Sequence, residues 1–328
     1  MTTSYPHGLQ DLGNGCFGYL QPDGGWGFSN AGLVVDQGET LLVDTLMDLP
    51  KTRDMLAAMR KAVPAAERIG TLLNTHANPD HTYGNQLVQG AEIVASSACL
   101  EEMQEMQAQM AGSRPNIRRD WKQFGDAGAF FNEVMFTKFS DEGVVLTLPT
   151  RTFDKELSLR VGSKEVRLLR VGPAHTRGDV IVYVPSDSTL FAGDMLFIGG
   201  HPIVWEGPVA NWIKACDLML SWDVETVVPG HGPVTDKSGI RDVKEYLEFV
   251  QAEARKRYDA GMPWEAAARD IRFTRFADWI DRERIVINVF TCYREFASDA
   301  SPFNRIEVLS ATGRYYFDHK HAGGTGCC

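Results

Sequence analysis

No stretch of this 328-residue chain approaches the roughly 18 consecutive apolar residues that a membrane-spanning helix needs. Its opening residues, Met1 to Gly8, contain neither a basic nor an apolar segment of the kind that directs secretion. The expectation is therefore a cytoplasmic protein with no membrane partner. Positive charge is also scarce: 33 Lys and Arg against 43 Asp and Glu leave a formal net charge of −10. That balance works against an extended phosphate-binding surface, so nucleic acid is not an expected partner. Cysteine is sparse as well. The six (Cys16, Cys99, Cys216, Cys292, Cys327 and Cys328) form no Cys-x-x-Cys and no framework spacing, so they read as reduced thiols, none at a metal-motif position. The terminal Cys327-Cys328 pair has the look of a prenylation end, but behind His-Ala-Gly-Gly-Thr-Gly it reads better as a disordered tail.

What the chain does have is a concentrated donor cluster. His76-Ala77-Asn78-Pro79-Asp80-His81, entered from the apolar run Ile69 to Leu73, sets two imidazoles and a carboxylate at the mouth of an expected strand. Three more donors follow in separate turns: His175 in Gly-Pro-Ala-His-Thr, Asp194 in Phe-Ala-Gly-Asp-Met and His231 in Pro-Gly-His-Gly-Pro. Gly- and Pro-bearing turns after apolar runs are where a rigid sheet presents site residues. One such turn alone is ordinary structure; an ordered set of them can converge on a metal.

The intervening segments alternate strand and helix patterns. Leu33-Val34-Val35 and Leu41-Leu42-Val43 flank a short polar turn and predict a β-hairpin, with Asp44 at its end. Met55, Leu56, Met59, Ala62 and Val63 repeat at helical spacing until Pro64. Strands are expected at 69–73, 91–95, 157–161, 165–171, 180–184, 189–192 and 225–228. Two sheet halves with helices outside make an α/β four-layer αββα sandwich over residues 1–239. Residues 97–150 read as a helical insertion. Its Met103, Met106 and Met110 stripe and its Trp121, Phe124, Phe130, Phe131, Phe136 and Phe139 suit either a self-packed hairpin or an aromatic cap over the site. Arg114, Arg118, Arg119 and Lys122 could receive a substrate carboxylate or phosphate, but read better as a solvated helix face. Residues 240–328 form a helical C-terminal extension, marked by Ile240, Val243, Leu247, Val250 and Ala254, ending in the disordered tail. Packing on the sandwich and a homodimer contact both remain open for it.

The ordered donor set, together with the early Leu-Val-Asp44-Thr turn, resembles the metallo-β-lactamase-fold superfamily of metal-dependent hydrolases over roughly Asp44 to His231. The resemblance implies a metal site of His76, residue 78 and His175, a second of Asp80, His81 and His231, and Asp194 bridging them. It also implies that Asp44 orients the ligands from behind and that Asp80 handles the proton of the attacking water. One position departs: Asn78 stands where the family's His-x-His-x-Asp-His has its middle histidine. A neutral amide oxygen is a harder donor than imidazole, so zinc, as one ion or two, is expected to be held less firmly there, with manganese or iron(II) as alternatives. Asp194 in place of the cysteine of zinc β-lactamases points to the glyoxalase II, lactonase and thioesterase branches. His201, just beyond in Gly-Gly-His-Pro, faces either the substrate or solvent.

The resulting expectation is a hydrolase that opens an ester, thioester or lactone of a small-molecule substrate with a metal-bound hydroxide. Two rivals share the scaffold: an iron-dependent oxidoreductase, and a non-hydrolytic accessory or cyclase-like protein of a biosynthetic pathway.

Overall fold

A computed structural model describes residues 5–111 and 116–324, and for 322–324 the backbone alone. The first sheet runs in chain order: β1 (Gly8–Gly13), β2 (Cys16–Leu20), β3 (Ala31–Asp36), β4 (Glu39–Val43), β5 (Thr71–Leu73), β6 (Glu92–Ser96) and β7 (Arg151–Phe153). Its first four strands are an antiparallel meander; β4 through β7 are parallel. The second sheet holds β8 (Glu156–Val161), β9 (Lys164–Arg170), β10 (Val180–Val184), β11 (Thr189–Phe197) and β12 (Thr226–His231). It is antiparallel up to the final β11–β12 pair, which is parallel.

Period-two alternation builds the layers. On β4, Leu41 and Val43 point between the sheets, where they meet Val166, Leu168, Val182 and Phe191. Leu42 points outward onto Met55, Leu56 and Met59 of helix α1 (Leu49–Ala62). On β10, Val180, Val182 and Val184 fill the inter-sheet core, while Ile181 and Tyr183 face the outer helical layer. The sequence pattern alone carries this arrangement, because successive side chains of a strand must leave opposite faces. The four-layer αββα architecture expected from sequence is the one observed.

Helices α2 (Pro79–Thr82), α3 (Ser97–Ala111) and α4 (Gly125–Phe131) follow within the first half. α5 (Val209–Ser221) makes the right of way from β11 to β12, and α6 (Lys237–Asp259), α7 (Trp264–Asp270), α8 (Arg284–Ala297) and α9 (Arg305–Gly324) complete the chain. The predicted stripe of α6 is buried, and Asp236 caps its first turn by accepting from the Ser238 amide. One apolar cluster joins Ala192, Met195 and Phe197 of β11 to Ile240, Leu247, Ile285, Val289 and Tyr315. The C-terminal helices therefore pack on the sandwich.

Several expectations need correction. The insertion is helical over 97–111 and in short turns from 121 to 136, but 137–150 is irregular chain leading into β7. The expected strand at 189–192 runs on to Phe197, so Asp194 lies within a strand and not in a turn. The strands β1, β2 and β7 carry Gly, polar or exposed residues that blur alternation, and were not expected. Arg118 does not sit on a solvated helix face: it donates to the Phe136 carbonyl, pairs with Asp141 and lies 5.2 Å from the Phe136 ring centroid. Arg114 and the Cys327-Cys328 tail lie outside the described residues. Cys16, Cys99, Cys216 and Cys292 are buried free thiols.

Candidate metal centre

The C-terminal ends of β4, β5 and β12, the β9–β10 loop and the middle of β11 meet at one rim. His76 leaves the end of β5, and Asn78 begins the single turn of α2, with Pro79 fixing its first position and Asp80 and His81 following. The His81 carbonyl accepts from the Thr45 amide at 3.0 Å and the Asn74 side chain at 3.2 Å, which ties that turn to β4. On β11 the register with β12 is interrupted on both sides of Gly193, whose φ of 51° swings Asp194 toward the rim. Gly230 permits the approach, since a Cβ there would stand 2.0 Å from Asp194 Oδ1.

All six expected donors come together. The donor atoms of His76, His175 and Asp194 lie within 4.8 Å of one another, as do those of Asp80, His81 and His231. Asp194 touches both groups: Oδ1 is 3.0 Å from His81 Nε2, and Oδ2 is 3.2 Å from His175 Nε2 and 3.5 Å from His231 Nε2. Asp80 Oδ2 is 3.4 Å from His231 Nε2. Asn78 reaches the first group, its amide 3.0 Å from His175 Nε2. Either end of that amide can face inward, the NH2 toward a bare imidazole and the oxygen toward a cation.

Each imidazole presents Nε2 to the centre because its Nδ1 is occupied outside. His175 Nδ1 donates to the Ile203 carbonyl at 2.7 Å and His231 Nδ1 to the Gly24 carbonyl at 3.0 Å. His81 Nδ1 is 2.9 Å from Asp44 Oδ2. Thr75 Oγ1 donates to Asp44 Oδ2 at 2.6 Å, which leaves it free to accept from His76 Nδ1 at 3.0 Å. Asp44, buried and at a positive φ of 63°, thus orients two imidazoles, one directly and one through Thr75. Asp179, which sequence reasoning passed over, does the same for the third turn by accepting from the Thr176 amide and hydroxyl behind His175.

These residues fit a divalent cation. With Nδ1 protonated, four Nε2 lone pairs and two carboxylates face one another. Buried His76 Nε2 has no hydrogen-bond partner, and His81 Nε2 and Asp194 Oδ1 face only each other at 3.0 Å, an arrangement that a cation among them would satisfy. The protonation pattern agrees. Burial opposes a charge on His81, yet the carboxylates of Asp194, Asp44 and Asp80 outweigh it and raise its pKa. His231 is raised to about 9, burial again being outweighed by Asp194 and Asp80. Burial and the neighbouring His81 lower His76. The raised pKa values of His81 and His231 mark a centre whose carboxylates favour positive charge, the charge that a bound cation would bring.

His201 belongs elsewhere. It is fully buried beneath the C-terminal helices, with Nδ1 3.0 Å from the Tyr246 hydroxyl and its ring against Phe273, so it faces neither substrate nor solvent. A local Gly-Gly-His-Pro gives no sign of helices arriving from far along the chain. The cavity over the donors is about 290 Å³, and its walls are built largely by residues outside the donor motifs. They include Trp26, Met106, Phe131, Met135, Trp205, Arg284 and Leu309. Of the insertion, Met106 and Phe131 line this cavity, whereas Phe130 packs against Trp26 and Phe139 against Phe28.

The family model of the metallo-β-lactamase superfamily matches residues 24–231. The chain belongs to that superfamily, whose fold implies divalent metal binding. It is 27% identical over 198 residues to a hydroxyacylglutathione hydrolase of Methylococcus capsulatus, covering 58% of this chain and 61% of that one. It is 32% identical over 84 residues to the 2,4-dinitroanisole O-demethylase subunit alpha of a Nocardioides species, covering 25% of this chain and 26% of that one. The chain thus spans about three-fifths of the first relative's length and a quarter of the second's. Among solved structures, a metallo-β-lactamase from Pontibacter korlensis superposes with a TM-score of 0.56 at 18% identity, over 73% of this chain and 98% of its own. The inverting sec-alkylsulfatase Pisa1 from a Pseudomonas species reaches 0.65 at 14% identity, over 92% of this chain and 53% of its own. At these identities the structural likeness carries the fold alone. No helix among the described residues is long and apolar enough to cross a membrane.

Proposed function

We propose that this protein is a metal-dependent hydrolase acting on an ester, thioester or lactone. The observation that carries the reading is the convergence of four outward-anchored imidazoles and two carboxylates at the floor of an open cavity. His76, His175 and Asp194 would hold one divalent cation, with Asn78 as a weak neighbour, and Asp80, His81, His231 and Asp194 a second. Zinc is the first candidate, with manganese or iron(II) as alternatives for the group that includes Asn78. When bound, such cations lower the pKa of a water and polarise the acyl oxygen.

The chain's own residues do the rest. Asp80 lines the cavity and, with 13% of its side chain exposed, is far more open than Asp194 at 3%, so it suits taking up the proton of an attacking water. Asp44 and Thr75 hold the imidazoles in one tautomer and direction. Trp26, Phe131 and Ile203 give the cavity an apolar wall beside the donors.

The test is elemental analysis of the purified protein, joined to a panel of aryl ester, thioester and lactone substrates assayed with zinc, manganese or iron(II). Turnover that disappears on chelation and in His81→Ala is expected. No bound metal and no turnover with any of the three would sink the reading.

A further inference from the structure

We infer that the substrate is compact, apolar and uncharged, on the scale of an aryl or short alkyl ester, and not an anionic thiol conjugate. The inference rests on the hydrolase reading of the same site and adds its substrate class.

Size sets the first limit. The cavity above the donors measures about 290 Å³, against about 150 Å³ for a dry cavity that accepts benzene. One ring with a short acyl group fills it; a peptide-sized thiol conjugate would have to extend through the open mouth onto the groove outside. Surface chemistry sets the second. Trp26, Phe131, Met135, Met106, Trp205 and Leu309 offer rings and thioethers to an apolar group and no charged partner to an anion.

Charge sets the third. Among the described residues, every arginine at the cavity and its mouth already faces a carboxylate. Arg284 pairs with Asp281 at 2.8 Å, donates to the His201 carbonyl at 2.9 Å, and lies 4.6 Å and 5.1 Å from the ring centroids of Trp26 and Phe197. Its Nε has no partner but is itself closed off from solvent. Arg305 pairs with Glu206 at 3.3 Å, and Arg177 with Glu105 at 2.7 Å and Glu102 at 3.4 Å. The groove at the mouth thus carries Glu102, Glu105 and Glu206 against Arg177 and Arg305. Away from the donor floor, an incoming carboxylate would lose its water, meet no unpaired arginine and approach a net negative rim.

The experiment compares 4-methylphenyl acetate with 4-carboxyphenyl acetate and an acyl glutathione thioester on the metal-loaded protein, each rate normalised to its uncatalysed hydrolysis. In parallel, calorimetry measures 4-methylphenol against 4-hydroxybenzoate, which reads the cavity without turnover. The methyl member of each pair is expected to win by about tenfold or more. The double variant Glu102→Gln/Glu206→Gln should narrow that gap, and Phe131→Ala should raise KM for the methyl ester alone. Equal or better use of the carboxylated ester or the thioester would overturn the inference while leaving the hydrolase reading intact. No turnover of any ester, with 4-methylphenol still bound preferentially, would sink the hydrolase reading and uphold the shape and charge assigned to the cavity.

Discussion

Asp44 Oδ2 lies 2.9 Å from His81 Nδ1, and the same carboxylate receives the Thr75 amide on Oδ1 and the Thr75 hydroxyl on Oδ2. One buried residue at the end of β4 therefore sets the direction of an imidazole that arrives from beyond β5. Asp44→Asn keeps the shape but weakens the acceptor, so metal affinity or turnover is expected to fall about 10- to 100-fold with the fold retained. Metal titration alongside circular dichroism checks this; unchanged affinity would mean that His81 is oriented by its backbone alone.

Asn78 is the position at which a single change should strengthen the site. Its amide lies 3.0 Å from His175 Nε2, beside His76 and Asp194. Asn78→His replaces a hard neutral oxygen donor with imidazole, and more zinc per chain is expected to survive dialysis against a chelator. A wild-type protein that already retains two zinc ions as firmly would show the softness argument to be wrong.

Gly230 is held to its residue type by proximity. An added Cβ would stand 2.0 Å from Asp194 Oδ1 and 2.6 Å from the Gly193 carbonyl carbon. Gly230→Ala is expected to cost about 1–3 kcal/mol and to loosen metal binding, because β11 must move to make room. Thermal unfolding with metal analysis reads both effects; a variant as stable and as well loaded as the parent would contradict the packing argument.

His201 predicts an acid sensitivity of the junction between sandwich and C-terminal helices. Burial, with Arg284 and Arg282 adding to it, holds His201 down to about 3, while in the unfolded chain it titrates near its ordinary value of about 6.5. Below about pH 6.5 the unfolded state binds the extra proton, so stability falls as pH drops toward 3 and is unaffected by this residue above that value. The slope contributed is about 1.4 kcal/mol per pH unit. Urea unfolding of the parent and His201→Asn on either side of pH about 6.5 isolates it, since loss of metal on acidification is common to both. Parallel pH profiles would refute the assignment.

The donors were legible because each stands in a local signature: His76 to His81 after a strand, His175 and His231 in Gly-Pro turns, Asp194 after Gly193. Asp44 was legible for the same reason. Trp26, Arg284 and His201 were not. Trp26 gains its role from Arg284, which is 258 positions away in sequence and stacks on its ring, and His201 is decided by the chain from α6 onward, which begins at Lys237. The insertion misled through composition: Met and Phe at helical intervals suit a short turn as well as a long helix, and 137–150 settles into irregular chain against β6 and the α1 cap.

Alternation along strands and short donor motifs are properties of neighbouring residues, so the sequence by itself determined the sandwich layers and the donor set of the candidate metal site. The direction of each imidazole, the distances that set Asp194 against both donor groups, and the apolar walls with their paired arginines depend on residues far apart in the chain. Only the tertiary structure decided those, because hydrogen-bond geometry and charge pairing act through a few ångströms of space and leave no period in the sequence.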